Sequence, residues 1–119
     1  MERHENVIVN KSESFADRII NMCKYLSKKK SGDKDMIRQI YRSGTSVGAN
    51  IAESQYAQSR ADFLTKLTIA LKEANETHFW LGRLHSCAVL SDMEYESINS
   101  DNEEIIKILT SITGTIKRT

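Results

Sequence analysis

Proline is absent from these 119 residues. Nothing in the chain therefore removes a backbone donor or fixes φ in the way that most sharply breaks a helix. Glycine is scarce too, at positions 32, 44, 48, 82 and 114, and many-stranded architectures need more punctuation than that. Apolar runs are short, as at Val7-Ile8-Val9, far below the roughly 20 residues of a membrane span. The N-terminus is of mixed charge and has no apolar signal-peptide core. The expectation is a soluble cytoplasmic chain with no membrane partner. The two cysteines, Cys23 and Cys87, both fall within apolar helical patterns, where buried thiols in a reducing compartment are expected in preference to a disulfide.

Chemistry-bearing patterns are also missing. A di-iron bundle needs Glu-x-x-His pairs on two of its helices, but Asn75 precedes His78 and Gly82 precedes His85 by three. The seven-residue spacing of His78 and His85 does not match the four-residue spacing of a helical zinc pair. Neither cysteine has a His or Lys at a spacing that supports a nucleophile. Glu73 and Glu76 lie one turn apart, as neighbouring charges on a helix surface. The sequence thus points to a protein that is not an enzyme and holds no cofactor, metal or small-molecule substrate.

What is present is helical periodicity. A length of 119 residues suits one domain with one core. The first helix is expected from about Asn10 to the lysines before Gly32, on the stripe Phe15, Ile19, Met22, Cys23 and Leu26. The β-branched Val7–Val9 segment before it is expected to lie extended. Asp33 caps a second helix with the stripe Met36 or Ile37, Ile40, Gly44, Val47 and Ile51. Ser59 with Asp62 starts a third helix, on Phe63, Leu67, Ala70, Ala74, Thr77, Leu81, Leu84 and Ala88. Its apolar sector is wide enough for neighbours on more than one side. Ser91 with Glu94 forms a capping box for the fourth, whose stripe includes Ile98, Ile105, Leu109, Ile112 and Ile116. The polar segment Asn99 to Asn102 is a candidate break. Short connections make an all-α, antiparallel up-down-up-down four-helix bundle the simplest packing over residues 1–119.

Three surface features remain. Gly44, Gly48 and Ala52 recur every four residues, and two helical glycines cost roughly 1 kcal/mol each against alanine. Close approach of another helix is the compensation expected. Beside that ridge, Arg42 and Glu53 lie on a polar stripe of the second helix, and Lys66, Glu73, Glu76 and Trp80 form a comparable mixed stripe on the third. Arg42 is expected to pair with a carboxylate of the third helix, and Glu53 with a cation, within one subunit or across two. The third feature is charge. Residues 1–44 carry ten Lys or Arg against six Asp or Glu, whereas residues 91–119 carry three against six. Helix-dipole matching accounts for part of this, with lysines ending one helix and Asp92, Glu94 and Glu96 beginning another. The alternative is a phosphate-attracting patch of Lys24, Lys28, Lys29, Lys30, Lys34 and Arg38 around the first connection, continuing to Arg42. Tyr25 and Tyr41 are read as packing residues, so the patch carries no stacking signature.

The segment RSGTSVGANIAESQYAQSRADFLTKLTIALKEANETHFWL at 42–81 resembles the four-helix-bundle family of 23S rRNA intervening-sequence proteins. Its hallmarks are Ser-Gly-Thr-Ser-x-Gly-Ala-Asn-Ile-Ala-Glu at 43–53 and Ala-Leu-Lys-Glu-Ala-Asn-Glu-Thr at 70–77, and KSESFADRIINMCKYL at 11–26 fits the family's first helix. The resemblance implies an up-down bundle assembled as a homopentamer. It extends to the accessory protein of diversity-generating retroelements, a similar pentamer that associates with a reverse transcriptase and nucleic acid, although that relative is markedly basic and this chain is near neutral. The function implied is a non-catalytic oligomeric adaptor contacting RNA, DNA or a nucleic-acid enzyme. A structural or protein-binding oligomer is the alternative.

Overall fold

A computed structural model describes residues 3–29 and 32–119, with side chains from residue 7 onward. Its four helices are α1 (Arg3–Ser27), α2 (Lys34–Ser54), α3 (Arg60–Ser86) and α4 (Asp92–Arg118). They pack as a square in which α2 adjoins α1 and α3, while α4 adjoins α3 and α1. With the short connections, each neighbour runs antiparallel to the last, giving an all-α four-helix bundle 49 Å long. None of the described helices is long and apolar enough to cross a membrane.

The helix starts follow from local hydrogen bonding. Asp33 accepts from the Met36 N–H at 2.9 Å, and Ser59 accepts from the Asp62 N–H at 3.0 Å. Ser91 accepts from Glu94 N–H while Glu94 accepts from Ser91 N–H, a reciprocal capping box. α1 begins earlier than its sequence suggests. Val7–Val9 are helical rather than extended, and Asn10 is an interior residue instead of a cap. Ile8 extends the buried stripe backward through Ser12, Phe15, Ile19, Cys23 and Leu26, so packing overrides the β-branched preference.

Three further expectations are corrected. α3 stops at Ser86, so Ala88 lies outside it, exposed and with φ 61°, while Cys87 is an exposed thiol and only Cys23 is buried. The left-handed turn at Ala88 lets the Val89 and Leu90 N–H groups both donate to Leu84 O, which satisfies the helix end and buries Val89 and Leu90. α4 is continuous through Asn99 to Asn102. There, Asn102 is fully buried and donates from Nδ2 to Ala74 O at 2.9 Å. Asn99 Oδ1 lies 3.1 Å from His78 Nδ1, and Asn99 Nδ2 donates to Glu103. These polar side chains bind the facing helix or their own next turn instead of breaking α4. Asn102 Oδ1 is left without a partner.

Candidate functional site

The small-residue ridge is a contact inside the chain. Gly44 rests against Ile19 of α1, and Gly48 lies over the Ser12 carbonyl and the Ala16 methyl. Ala52, the third member, is exposed. The two glycines thus let α2 sit close to α1, which accounts for their helix-propensity cost.

Ion pairs join the other seams. Arg42 donates to Glu73 at 3.0 Å and to Glu76. Glu76 also accepts from Trp80 Nε1 at 3.3 Å. The hydrogen bond to Glu76, followed by the nearby charge of Glu73, raises the Arg42 pKa above its already high value. Farther along the same antiparallel register, Lys66 meets Glu53 at 3.2 Å. Between α1 and α4, Lys11 pairs with Glu104 at 2.8 Å and Arg18 with Asp101 at 2.6 Å. Part of the basic first third therefore neutralises part of the acidic last quarter across one helix seam.

Not all of the basic charge is spent in this way. The open side of the α1–α2 seam, next to the first connection, holds a groove of about 540 Å³. Lys24 and Lys28 approach it from α1 and its end, while Lys34 and Arg38 approach from α2. Among the described residues Lys24, Lys28 and Lys34 have no carboxylate at ion-pair distance, and Arg38 holds Asp35 at 3.4 Å with both side chains largely exposed. The apolar lining is Ile20, Cys23 and Ile37, with Tyr41 beside them. Burial pushes the Cys23 thiol up to about 11, leaving it protonated and uncharged at neutral pH.

Four of the six cations singled out in the sequence therefore line one groove. Lys29 points elsewhere, over the Tyr25 ring at 4.4 Å on the side that faces α4, where the proximity of Tyr25 raises its pKa. Lys30 lies outside the described residues. The packing role expected for the tyrosines is corrected by their exposure, 50% for Tyr25 and 46% for Tyr41. A second groove of about 540 Å³, between α1 and α4, includes Tyr25, Met22, Ile98 and the exposed Met93. Among the described residues no cluster of three His, Cys, Asp or Glu side chains could hold a metal.

A four-helix bundle with cross-helix ion pairs and a cation-rimmed groove defines the class as a small helical-bundle protein. The family model of the 23S rRNA-intervening sequence protein matches residues 4–111. The chain belongs to that family. It is also similar to a crystallised protein of unknown function from the S23 ribosomal protein family of Bacteroides thetaiotaomicron, at 51% sequence identity and a TM-score of 0.89. That match covers 93% of this chain and 98% of the other. No match was found among curated proteins.

Proposed function

We propose that this chain is a non-catalytic, oligomeric helix-bundle adaptor that contacts nucleic acid through the cation-rimmed α1–α2 groove. The observation that carries the reading is the convergence of Lys24, Lys28, Lys34 and Arg38 on one groove, three of them without a carboxylate partner among the described residues. Uncompensated cations gathered on one surface attract phosphate and release its counterions. The partner is RNA, DNA or an enzyme already holding one of them. Self-association is supported by the apolar α1–α4 groove with its exposed Met93 and Tyr25, and the form proposed is a cytoplasmic homopentamer, on the family resemblance alone.

Two measurements test the reading. Light scattering is expected to give a mass about five times the 13.5 kDa of one chain, and a monomer at micromolar concentration would remove the oligomeric half. Four phosphate contacts imply a loss of nucleic-acid affinity of roughly 50- to 150-fold between 50 and 200 mM salt. Replacing Lys24, Lys28 and Lys34 with glutamine should remove most of the binding. A second reading, a structural or protein-binding oligomer with no nucleic-acid role, is favoured by the apolar groove floor. Salt-insensitive capture of a protein partner, with no nucleic acid bound at 50 mM salt, would establish that reading instead.

A further inference from the structure

Resting on the nucleic-acid reading of the α1–α2 groove, we infer that the groove selects single strands, with Tyr41 as the platform on which an unpaired base stacks. The rim and the floor require different things of a ligand. Lys24, Lys28, Lys34 and Arg38 call for a repeating negative charge. The open apolar surface between them, with the half-exposed Tyr41 beside it, calls for flat apolar groups that can leave the backbone and lie against it. A duplex satisfies only the rim, because its bases are stacked on one another and its charge lies on a stiff convex surface. A single strand satisfies both, since phosphates can follow the cations while bases turn inward onto an aromatic ring.

The dimensions and surroundings agree. A groove of about 540 Å³ is within the size range of pockets that enclose small organic ligands, so a nucleobase has room. Tyr41 is 46% exposed, leaving ring surface for a base. The other half-exposed tyrosine near the first connection, Tyr25, already carries Lys29 over its ring and lines the groove facing α4. Among the described residues that line the groove there is no carboxylate, and one of its four cations, Arg38, holds Asp35 at 3.4 Å. An acidic amphipathic peptide is the competing occupant, but it would leave the exposed aromatic face of Tyr41 without a specific role.

The test is fluorescence anisotropy at 50 mM salt, using a labelled 20-nucleotide single strand and its own duplex with the full chain. The single strand is expected to bind at least about tenfold more tightly. Tyr41→Ala should weaken it by roughly 5- to 150-fold, the range found for loss of one stacked base, while the weaker duplex binding stays unchanged. Tyr41→Phe should bind like the parent. Tyr41→Leu, which keeps apolar bulk and protects the fold, should behave like Tyr41→Ala. Equal affinity for the two forms, or no loss in the alanine and leucine variants, would overturn single-strand selection and leave the groove as a simple phosphate site. Failure of both forms to bind would remove the nucleic-acid reading itself. Tighter binding of an amphipathic Leu/Glu peptide than of the single strand would assign the groove to a protein segment.

Discussion

A methyl group added to Gly44 would stand 2.8 Å from Cγ1 and 2.9 Å from Cγ2 of Ile19. Ile19 is fully buried and β-branched, so it cannot swing aside as a long surface side chain would. Gly44→Ala gains roughly 1 kcal/mol of helix propensity but overpacks the α1–α2 seam, and the expected net loss is about 1–2 kcal/mol. Urea denaturation measures it. In an Ile19→Ala background the same substitution should become neutral or stabilising, and an unchanged penalty there would show that Ile19 is not the obstacle.

Elsewhere the chain holds glycine where alanine fits and alanine where glycine fits. A Cβ on Gly82, inside α3, would meet nothing within 4 Å, whereas Ala88 occupies φ 61° at the end of that helix, a left-handed position that favours glycine. Gly82→Ala and Ala88→Gly are each expected to raise stability by about 0.5–1 kcal/mol. The two changes should add in the unfolding midpoint, since they act through separate local conformations. A loss of stability in Gly82→Ala confined to the assembled protein would place a second subunit against that surface.

Local structure is legible in the sequence where the interacting groups lie close along the chain. The caps at Asp33, Ser59 and Ser91 involve residues only three apart, so the sequence contains both donor and acceptor. The start of α1 was not legible, because helicity at Val7–Val9 depends on burial of Ile8 against distant residues. The end of α3 was missed because a left-handed alanine has no compositional signal. At the candidate site, the lysines cluster in sequence around the first connection, and four of the six cations line one groove there. The separation of Lys28 from Lys29 depends on the course of the chain as α1 ends, and the exposure of Tyr41 depends on how α2 turns against α1. For Arg42, helical spacing gives only a place on a polar stripe of α2, and the packing of α2 on α3 decides that its partners are Glu73 and Glu76 of the same chain.

The Arg42 pairs are expected to fasten α2 to α3 modestly. Glu73 has only 15% of its side chain exposed, against 49% for Arg42, so its carboxylate loses more solvent than that of an ordinary surface pair. Arg42→Ala should cost about 0.5–1 kcal/mol, with a coupling to Glu73 of similar size in a double-mutant cycle. Charge reversal to glutamate should cost more, and part of that excess should disappear at high salt. If the cycle gives no coupling, the pairs follow the packing of α2 on α3 without contributing to it.

The first turn of α4 should loosen in acid. Glu94 accepts the Ser91 N–H at 2.9 Å, and that backbone bond, with the nearby charge of Lys29 as a smaller influence, holds its pKa below 4.5. A lowered folded value means that the unfolded chain binds the proton more readily. The contribution to stability is therefore present above about pH 4.5 and is lost as pH falls through the lowered value. The Ser91 amide resonance, followed by NMR from pH 7 to 2, should titrate with an apparent pKa below the ordinary glutamate value, and amides of the first α4 turn should lose protection at the acid end once their rates are corrected for intrinsic exchange. Glu94→Gln keeps a neutral acceptor at every pH, so its Ser91 resonance should lose this titration. Persistence of the same titration in the glutamine variant would trace it to another carboxylate.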